Sequence, residues 1–333
     1  MPPKISVNVL GYKHRQHLKE CFEHILAQDY PNFKLTFIDN NSGDGSEEFA
    51  RQNFPQITVI QTGGNTGYSG GHNIGLKSTD GEFVSFVNPD VKMKPNFLSQ
   101  AIKPMLEHSD IGAVQGKLLR PELRDQKYFF DGTGVMISRS RQAYDRGQWE
   151  EDRGQYDKPQ EIFAVNGSCP VWRRAALNDI VINGEILDED MFAYFDDVDL
   201  GWRGRRRGWR MWYQPTAVAY HARAMGKSPK SIIADPAAYK KFRSNFSTFT
   251  RRLSYKNHIL LLLKNDMGWP FWRDLPFILG RQLVKLVYTL LFERDTLAIF
   301  PTLFQQIPKI MKKRRVIRAT AKVSSGEIGK WFK

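Results

Sequence analysis

Apolar and polar positions in the first forty residues repeat with two different periods. Short apolar runs at Ile5–Leu10 and Lys34–Ile38 predict β-strands. Between them, apolar residues recur at helical spacing up to about Gln28, at positions Leu18, Cys21, Phe22, Ile25 and Leu26. A strand, a helix and a second strand in this order are typical of a parallel sheet.

The same alternation continues to residue 87 and extends the predicted sheet. The further elements are a helix, a strand, a glycine-rich loop, a helix and a strand, at Ser46–Asn53, Ile57–Gln61, Gly63–Gly71, Gly71–Ser78 and Phe83–Val87. Ligands of such sheets bind beyond the carboxyl ends of the strands. Asp39 and Asn88-Pro89-Asp90 fall at those ends. The pattern therefore predicts an α/β fold with a ligand site at that edge.

Beyond residue 115 the periodicity becomes irregular. The polar segment Arg139–Pro159 predicts a long loop, and a long loop in a compact domain usually covers a site or is mobile. Regular structure is expected again in a strand, a helix, an acidic stretch, a second helix and a strand, at Ile162–Val165, Arg173–Leu177, Asp188–Asp199, Asp196–Arg207 and Arg210–Tyr213.

The last hundred residues consist of apolar stretches that charged residues interrupt. They are His258–Leu263, Leu275–Gly280, Leu286–Phe292 and Thr296–Pro308. None reaches the ~20 uninterrupted apolar residues of a membrane span, so we expect them to lie on a membrane rather than cross it. A basic cluster follows, at Lys309, Lys312, Lys313, Arg314, Arg315 and Arg318, which an anionic leaflet attracts. The alternative is an amphipathic hairpin packed on the α/β body, with a solvated basic tail.

The formal charge of +14 changes this picture because it is unevenly distributed. Residues 1–222 hold 26 Lys+Arg against 29 Asp+Glu, whereas residues 223–333 hold 23 against 6, a net of +17. A near-neutral body with a cationic attachment favours an anionic surface as partner. The two cysteines provide no disulfide framework, and the N-terminus lacks the pattern of a secretory signal. We expect a cytosolic protein.

The strongest candidate for chemistry is the acidic stretch Asp188–Asp199. It contains six acidic residues in twelve, interleaved with Met191, Phe192, Tyr194 and Phe195. A solvated helix face does not explain this composition, and gathering the carboxylates is electrostatically unfavourable without a cation. Capping of the following helix accounts for one of Asp196 and Asp197, but not for both.

Other candidates are weaker when taken singly. The glycine-rich loop offers backbone amides to a phosphate, although no P-loop lysine follows it. Asp90 at the end of an apolar strand suits a divalent cation, and His221 is either a metal ligand or a structural residue. Basic residues after the acidic stretch suit phosphate, nucleic acid or a charged helix face; they are Arg203, Arg205, Arg206, Arg207 and Arg210.

Taken in order, these motifs resemble the family 2 glycosyltransferases of the GT-A fold, and in particular their rhamnosyltransferase-like branch. The blocks that carry the resemblance are Asp39-Asn40-Asn41-Ser42, Asn65 to Gly75, Asn88-Pro89-Asp90-Val91, Tyr194 to Leu200, and His221. The resemblance implies a Rossmann-like mixed sheet flanked by helices, with an α-helical, basic C-terminal region. Looser likeness extends through Lys256-Asn257-His258.

The resemblance also implies roles for individual residues. Asp197 matches the catalytic base, and Asp196 beside it would orient the acceptor or the base. Asp90 and His221 would hold a divalent metal, Mg²⁺ or Mn²⁺. The donor-binding residues would be Asp39, Asn41, Gly67, Gly70, Gly71, Asn73 and Asn88. Two positions depart from the family pattern, because Asn88 replaces a frequent carboxylate and Asp196 a more frequent glutamate.

The sequence thus predicts a transferase domain over residues 1–235 and a membrane-associating helical region over 236–333. The expected reaction is inverting transfer of a sugar, rhamnose on the branch resemblance, from a nucleotide-diphosphate donor. The acceptor would be a saccharide or a lipid-linked glycan of the cell surface, at the inner face of the membrane. Nucleic acid is not expected as a partner. Alternatives are a nucleotidyltransferase, a glycoside hydrolase and a non-enzymatic membrane or nucleic-acid binding module.

Overall fold

The computed structural model describes residues 1–122, 127–222 and 235–333. Its first half alternates strands and helices as β1 Ile5–Gly11, α1 Arg15–Leu26, β2 Phe33–Asp39, α2 Ser46–Asn53, β3 Thr58–Gln61, α3 Gly67–Lys77, β4 Phe83–Val87, β5 Val91–Met93, α4 Phe97–Glu107 and β6 Ile111–Leu119. The middle contains β7 Phe130–Gly132, β8 Val135–Ile137, β9 Ala143–Asp145, β10 Gln160–Ile162, β11 Val171–Arg173, α5 Arg174–Asp179, α6 Asp196–Arg206 and β12 Arg210–His221.

One ten-stranded mixed sheet organises these elements. Its order is β10-β12-β6-β11-β4-β1-β2-β3, with β5 paired to β12 and β7 to β6. β4, β1, β2 and β3 are parallel, and β11 is antiparallel to both of its neighbours. α1 and α4 pack on one face through apolar side chains such as Phe22, Ile25 and Ile102. These helices do not cover the loops at the carboxyl ends of the parallel strands, and those loops form a cleft.

The predicted order from β1 to β4 is confirmed, whereas β5, α4 and β6 were not predicted. α3 begins at Gly67 instead of Gly71, because the second half of the glycine-rich segment continues the helix. β6, a central strand, begins at Ile111 and ends in the segment beyond residue 115, where the periodicity becomes irregular. Its interior includes Gly112, Gly116 and Lys117. The Lys117 ammonium is buried there because it binds Asp152 at 3.1 Å and Asp157 at 2.5 Å.

The C-terminal region is helical, as predicted. Its elements are α7 Pro236–Ser244, α8 Thr248–Asn265, α9 Trp269–Phe292, α10 Phe300–Thr320 and α11 Ser325–Gly329, with 3₁₀ turns at Glu189–Met191 and Arg294–Ile299. The segment before α7, residues 223–234, lies outside the described residues. Leu261, Ile328 and Phe332 share an apolar cluster with Val198 and Trp202 of α6. The two predicted regions are therefore joined by a common core.

The interrupted apolar stretches of the C-terminal region are not separate elements. Two of them merge into α9, which by length and composition is a candidate to cross a membrane. Of the charged residues that interrupt these stretches, Arg281 and Lys285 contact the protein body, whereas Arg273 is exposed. The Arg281 guanidinium donates to Gln142 at 2.7 Å, and the Lys285 ammonium lies 4.4 Å from the Tyr255 ring centre. The outer face of α9 is left apolar.

Candidate active site

The carboxyl ends of the first three parallel strands form one wall of the site. Gly11, Asp39 and Gln61 are neighbours in register. Asp39 is buried, and its carboxylate accepts hydrogen bonds from Gln61 Nε2 at 2.6 Å and from the Ser42 amide at 3.2 Å. These contacts fix the carboxylate at the sheet edge. Its role toward a donor stays a prediction.

The two asparagines after Asp39 differ in burial and in hydrogen bonding. Asn40 is buried and links the β2 loop to the glycine-rich turn, donating to Gly67 O at 3.0 Å and accepting from the Thr66 amide at 2.9 Å. Asn41 is exposed and has a left-handed backbone with φ 61°. Asn40 was absent from the predicted set, whereas Asn41 remains a donor-binding prediction.

The glycines of α3 permit close packing. Gly67 has φ 71°, and a Cβ there would lie 2.3 Å from Phe192 O. A Cβ at Gly70 or Gly71 would lie 2.7 Å from Thr66 or 2.4 Å from Leu10. These contacts explain why the residues are small without invoking a donor.

Asn73 of α3 is similarly engaged by the protein. Its amide group donates to Leu187 O at 2.9 Å and accepts from the Leu187 amide at 3.0 Å. Donor binding by Asn73 and by the three glycines has no direct support in these contacts and stays a prediction.

The loop before α6 carries unusual backbone strain. Phe192, Tyr194 and Phe195 have φ of 65°, 72° and 67°, a region that bulky residues rarely adopt. Asn257 of α8 holds this loop, because its Nδ2 donates to Met191 O and Ala193 O at 2.7 Å each and to Tyr194 O at 3.0 Å. The C-terminal region thus fixes the loop that presents the first residues of α6.

Those first residues are Asp196 and Asp197. The Asp197 carboxylate accepts from the Gly167 amide at 3.2 Å and from the Val198 amide at 2.7 Å. Asp196 is buried, and burial together with the neighbouring Asp197 charge raises the pKa of its carboxyl well above the usual range. The adjacent carboxyls therefore differ, with Asp196 favouring its protonated form.

The predicted metal ligands Asp90 and His221 lie next to each other. Asp90 Oδ1 lies 3.4 Å from His221 Nε2, and the other ring nitrogen, Nδ1, lies 2.7 Å from the buried Asp131 carboxylate. Burial opposes the charged form of His221, but Asp131 and Asp90 outweigh it and raise the pKa to about 9. At Asp90, burial raises the pKa, but the contact with His221 outweighs it, and the pKa is lowered.

The Asp90 carboxylate and the His221 imidazole together fit a divalent ion. Two ligands at ~2.1 Å from one octahedral ion are about 3 Å apart, close to the separation of Asp90 and His221. Asp131 orients the imidazole so that Nε2 faces Asp90, as metal-binding histidines require. No group of three or more such ligands occurs among the residues that the structure describes. Water and donor phosphates would have to complete the coordination of an ion here.

Only some of these groups line one open cleft of about 830 Å³; Asp39, Asn41, Asn73 and the three glycines of α3 are not among its lining residues. Asn88, Asp90, His221, Asp196 and Asp197 lie on its wall. Gln142, Tyr144, Asp145 and Gln148 also line the cleft, so part of the segment Arg139–Pro159 borders it. Helix α7, helix α8 and the turn between them supply a wall that was not predicted, including Phe242, Arg243, Phe246, Ser247 and Thr250.

The rest of the acidic stretch serves another purpose. Lys264 binds Asp188 at 2.6 Å and Asp199 at 2.9 Å, and Lys313 binds Asp188 at 2.5 Å and Asp190 at 2.9 Å. The clustered carboxylates of the acidic stretch need positive charge nearby, and lysines of α8 and α10 supply part of it. The expectation that Lys313 belongs to a solvated, membrane-attracted cluster is wrong, since its side chain is buried.

The basic residues after the acidic stretch are mostly structural. Arg203 binds Asp199, Arg205 binds Glu161 and Arg207 binds Asp179, at 2.8, 2.8 and 2.5 Å. Arg210 lies 3.3 Å from Asp110. A continuous nucleic-acid surface is therefore not formed by these side chains.

The family follows from comparison with known proteins. Residues 2–243 match the family described as "Glycosyltransferase like family 2". The chain belongs to glycosyltransferase family 2. This membership decides against the nucleotidyltransferase, the hydrolase and the non-enzymatic module, and it makes the protein a sugar-transferring enzyme of the hexosyltransferase type.

Individual relatives agree with the family. This family 2 glycosyltransferase is 28% identical over 258 residues to the N-acetylglucosaminyl-diphospho-decaprenol L-rhamnosyltransferase of Mycobacterium tuberculosis, covering 70% of this chain and 81% of that protein. It is 20% identical to the low-salt glycan biosynthesis hexosyltransferase Agl10 of Haloferax volcanii, covering 90% of this chain and 89% of that one.

Solved structures confirm the fold of the glycosyltransferase. The mannosyltransferase PcManGT from Pyrobaculum calidifontis, in complex with GDP-Man and Mn²⁺, has a TM-score of 0.54 at 15% identity, covering 99% of this chain and 88% of that one. GalNAc-T7, with UDP, GalNAc and Mn²⁺, has a TM-score of 0.57 at 10% identity, covering 79% and 48%. The fold is GT-A-like, as predicted.

Proposed function

We propose that this enzyme transfers a sugar from a nucleotide-diphosphate donor with inversion and with the help of a divalent metal. The observation that carries the proposal is that one cleft collects the Asp90–His221 pair and the Asp196–Asp197 pair. The first pair suits a metal next to a diphosphate. The second suits activation of a hydroxyl nucleophile.

Asp197 is the proposed general base. An acceptor hydroxyl is a poor nucleophile, so a carboxylate must take its proton as attack proceeds, and attack on the face opposite the leaving group inverts the anomeric centre. Two backbone amides hold the Asp197 carboxylate in place. Asp196 is the proposed positioning group, because its protonated form can donate a hydrogen bond to the acceptor or to Asp197.

Asp90 and His221 are the proposed metal ligands, for Mg²⁺ or Mn²⁺. When bound, such an ion would neutralise the charge that develops on the nucleoside diphosphate. Asn88 lines the same part of the cleft with a neutral amide. One fewer carboxylate near the ion predicts weaker binding of the free metal and a greater dependence on the donor phosphates.

The donor is proposed to be a dTDP or UDP sugar, with rhamnose favoured by the likeness to an L-rhamnosyltransferase. A saccharide or lipid-linked acceptor in cell-envelope polysaccharide synthesis is proposed on the same ground. We infer that residues 1–235 form the transferase unit and that residues 236–333 close its cleft and dock it to the cytoplasmic face of the membrane.

α9 supports docking along the membrane surface. Trp269 is 71% exposed and Trp272 63%, and exposed leucines follow on the same helix. The opposite face of α9 is tied to the body through buried Asp274, which binds Arg139 at 2.8 Å and Arg141 at 2.9 Å. A helix held in this way lies against the globular body, a geometry suited to the interface rather than to a span.

The test combines a nucleotide-sugar screen with the Asp197→Asn variant. We expect the variant to bind the nucleotide in the presence of Mn²⁺ as the wild type does, measured by calorimetry, and to lose transfer by ~10² to 10⁴-fold. Release of nucleoside diphosphate reports turnover, and NMR of the product reports its anomeric configuration. Glu48→Gln on the exposed face of α2 is the matched control. Retained turnover in Asp197→Asn overturns the base assignment.

A further inference from the structure

A second cavity lies away from the catalytic cleft, where α10 and α11 meet the end of α6. Its volume is about 480 Å³. The polar side chains that line it are four cations and two hydroxyls, namely Arg206, Arg314, Arg318, Lys322, Ser324 and Ser325. No aspartate or glutamate occurs in this lining over the described ranges 1–122, 127–222 and 235–333. The composition is that of an anion site.

Arg206 is the buried base of this cavity. It is 3% exposed, and its guanidinium donates to Ser325 Oγ at 2.9 Å and to Asn265 O at 3.4 Å. Its Nε is buried and has no hydrogen-bond partner within the described part of the chain. A buried donor of a charged group without an acceptor is destabilising, so the site favours a ligand with acceptor oxygens.

The neighbouring cations strengthen this preference. Burial and then the charge of Arg314 lower the pKa of Arg206 to about 10, although Asp266 opposes the shift. Burial lowers the pKa of Arg314 as well; Asp266 opposes this shift and the charge of Arg318 adds to it. Two carboxylates close by offset part of this charge but are shared with other cations, since Asp266 binds Arg141 at 2.9 Å, and Asp179 binds Arg207 at 2.5 Å and lies 3.8 Å from Lys322. Like charges in one cavity are relieved by a bound anion.

The surroundings identify the source of the anion. Met267 and Gly268 line the cavity and directly precede exposed Trp269 on the apolar face of α9. Tryptophan beside an apolar helix face is typical of the headgroup level of a bilayer. We propose that the cavity of Arg206, Arg314, Arg318 and Lys322 binds the phosphate of an anionic phospholipid headgroup while α9 lies in the interface. The assignment rests on the membrane docking proposed above.

The test is flotation of the full chain with vesicles of phosphatidylcholine alone and with added phosphatidylglycerol. Arg318 and Lys322 are exposed, so Arg318→Gln/Lys322→Gln should fold normally. Lys312→Gln/Arg315→Gln removes two exposed charges from α10 outside the cavity and is the matched control. We expect the cavity pair to lower partitioning onto anionic vesicles by about tenfold more than the control pair, and to leave partitioning onto neutral vesicles unchanged.

Each other outcome contradicts a defined part of the proposal. Equal losses for the two pairs show diffuse charge attraction and overturn the cavity. Equal partitioning of the wild type on both vesicles also overturns the cavity but leaves docking intact, whereas absence of binding to either vesicle overturns both. Inorganic phosphate is the soluble probe. If it stabilises the wild type against thermal unfolding but not the cavity pair, while vesicle binding is the same for both, the ligand is free phosphate and the lipid assignment is wrong.

Discussion

Asn257 provides the sharpest test of how the C-terminal region supports the active site. Its single Nδ2 group donates to three carbonyls of the loop that precedes Asp196. The substitution Asn257→Leu keeps a branched side chain of similar size but removes the donor. We expect the loop to relax, the Asp197 carboxylate to shift, and kcat to fall while donor binding is preserved.

The magnitude follows from the two opposing terms in the loop. Each of the three left-handed aromatic residues costs of order 1–3 kcal/mol. The buried Met191 carbonyl would cost about 1–3 kcal/mol without its donor, and the part-buried carbonyls of Ala193 and Tyr194 would cost less because water can reach them. The free energy lost with the Asn257 hydrogen bonds is therefore comparable to the backbone strain energy that these bonds offset. A displacement of a catalytic group by ~1 Å lowers the rate by about 10²-fold, so we expect a kcat reduced by about that factor.

The assay for Asn257→Leu separates positioning from general instability. Single-turnover kinetics gives the rate of transfer, calorimetry gives donor affinity, and urea unfolding gives stability, with the loss expected to be ~2–4 kcal/mol. Asn53→Leu makes the same chemical change on the exposed end of α2, where one bond to Phe49 O is lost, and should leave all three unchanged. A folded Asn257→Leu enzyme with wild-type kcat would refute the clamp.

Three further predictions concern charge and the membrane face. Burial and the neighbouring carboxylate raise the pKa of Asp196 well above its usual value. An unfolded aspartate titrates near pH ~3.9, so stability falls as pH rises from there towards the folded pKa. Asp196→Asn should therefore have a higher Tm than the wild type at pH 7, and the Tm difference should be smaller at pH 4. A Tm difference that does not depend on pH would contradict the raised pKa of Asp196. Lys313→Met leaves three carboxylates without their shared cation, and the free energy of unfolding in urea should fall by ~3–5 kcal/mol. Lys312→Met, at an exposed position, is the control. An equally large loss in the control would contradict a structural role for Lys313. Trp269→Ser/Trp272→Ser should reduce flotation with phosphatidylcholine vesicles at least about tenfold, and unchanged flotation would show that α9 is not the docking face.

Local pattern was sufficient to predict the sheet up to β4 and the places where its ligands would bind. The boundaries of α2 and β4 agree with those of the structure, because apolar periodicity and turn residues coincide there. β6 was missed because Lys117 and two glycines break its pattern, and only the distant Asp152 and Asp157 make that lysine acceptable in a central strand. Periodicity within one segment cannot report such a partner.

The site was predictable to the extent that its residues end strands or begin helices. Asp39, Asp90 and Asp196 stand at such positions, and the pairing of Asp90 with His221 was anticipated from the resemblance. Asp131 was not singled out, although the Asp131-Gly132-Thr133-Gly134 segment is distinctive in the sequence. Its function depends on β7 lying beside β6, which brings the carboxylate to His221.

The acidic stretch and the basic C-terminal region are best understood as one electrostatic unit. Asp188, Asp190 and Asp199 bind lysines that are 76, 123 and 65 residues away in sequence. Arg203 offsets part of the Asp199 charge locally, but Asp188 and Asp190 take their lysine partners from the C-terminal region, so the acidic stretch should be unstable alone in the folded geometry. This dependence, together with Asn257 and the shared apolar cluster around Trp202, means that deletion of residues 236–333 would disturb the loop before Asp196 as well as any membrane contact. Point variants on the outer surface of α9 and α10 therefore distinguish membrane docking from catalytic support, which a truncation would remove together.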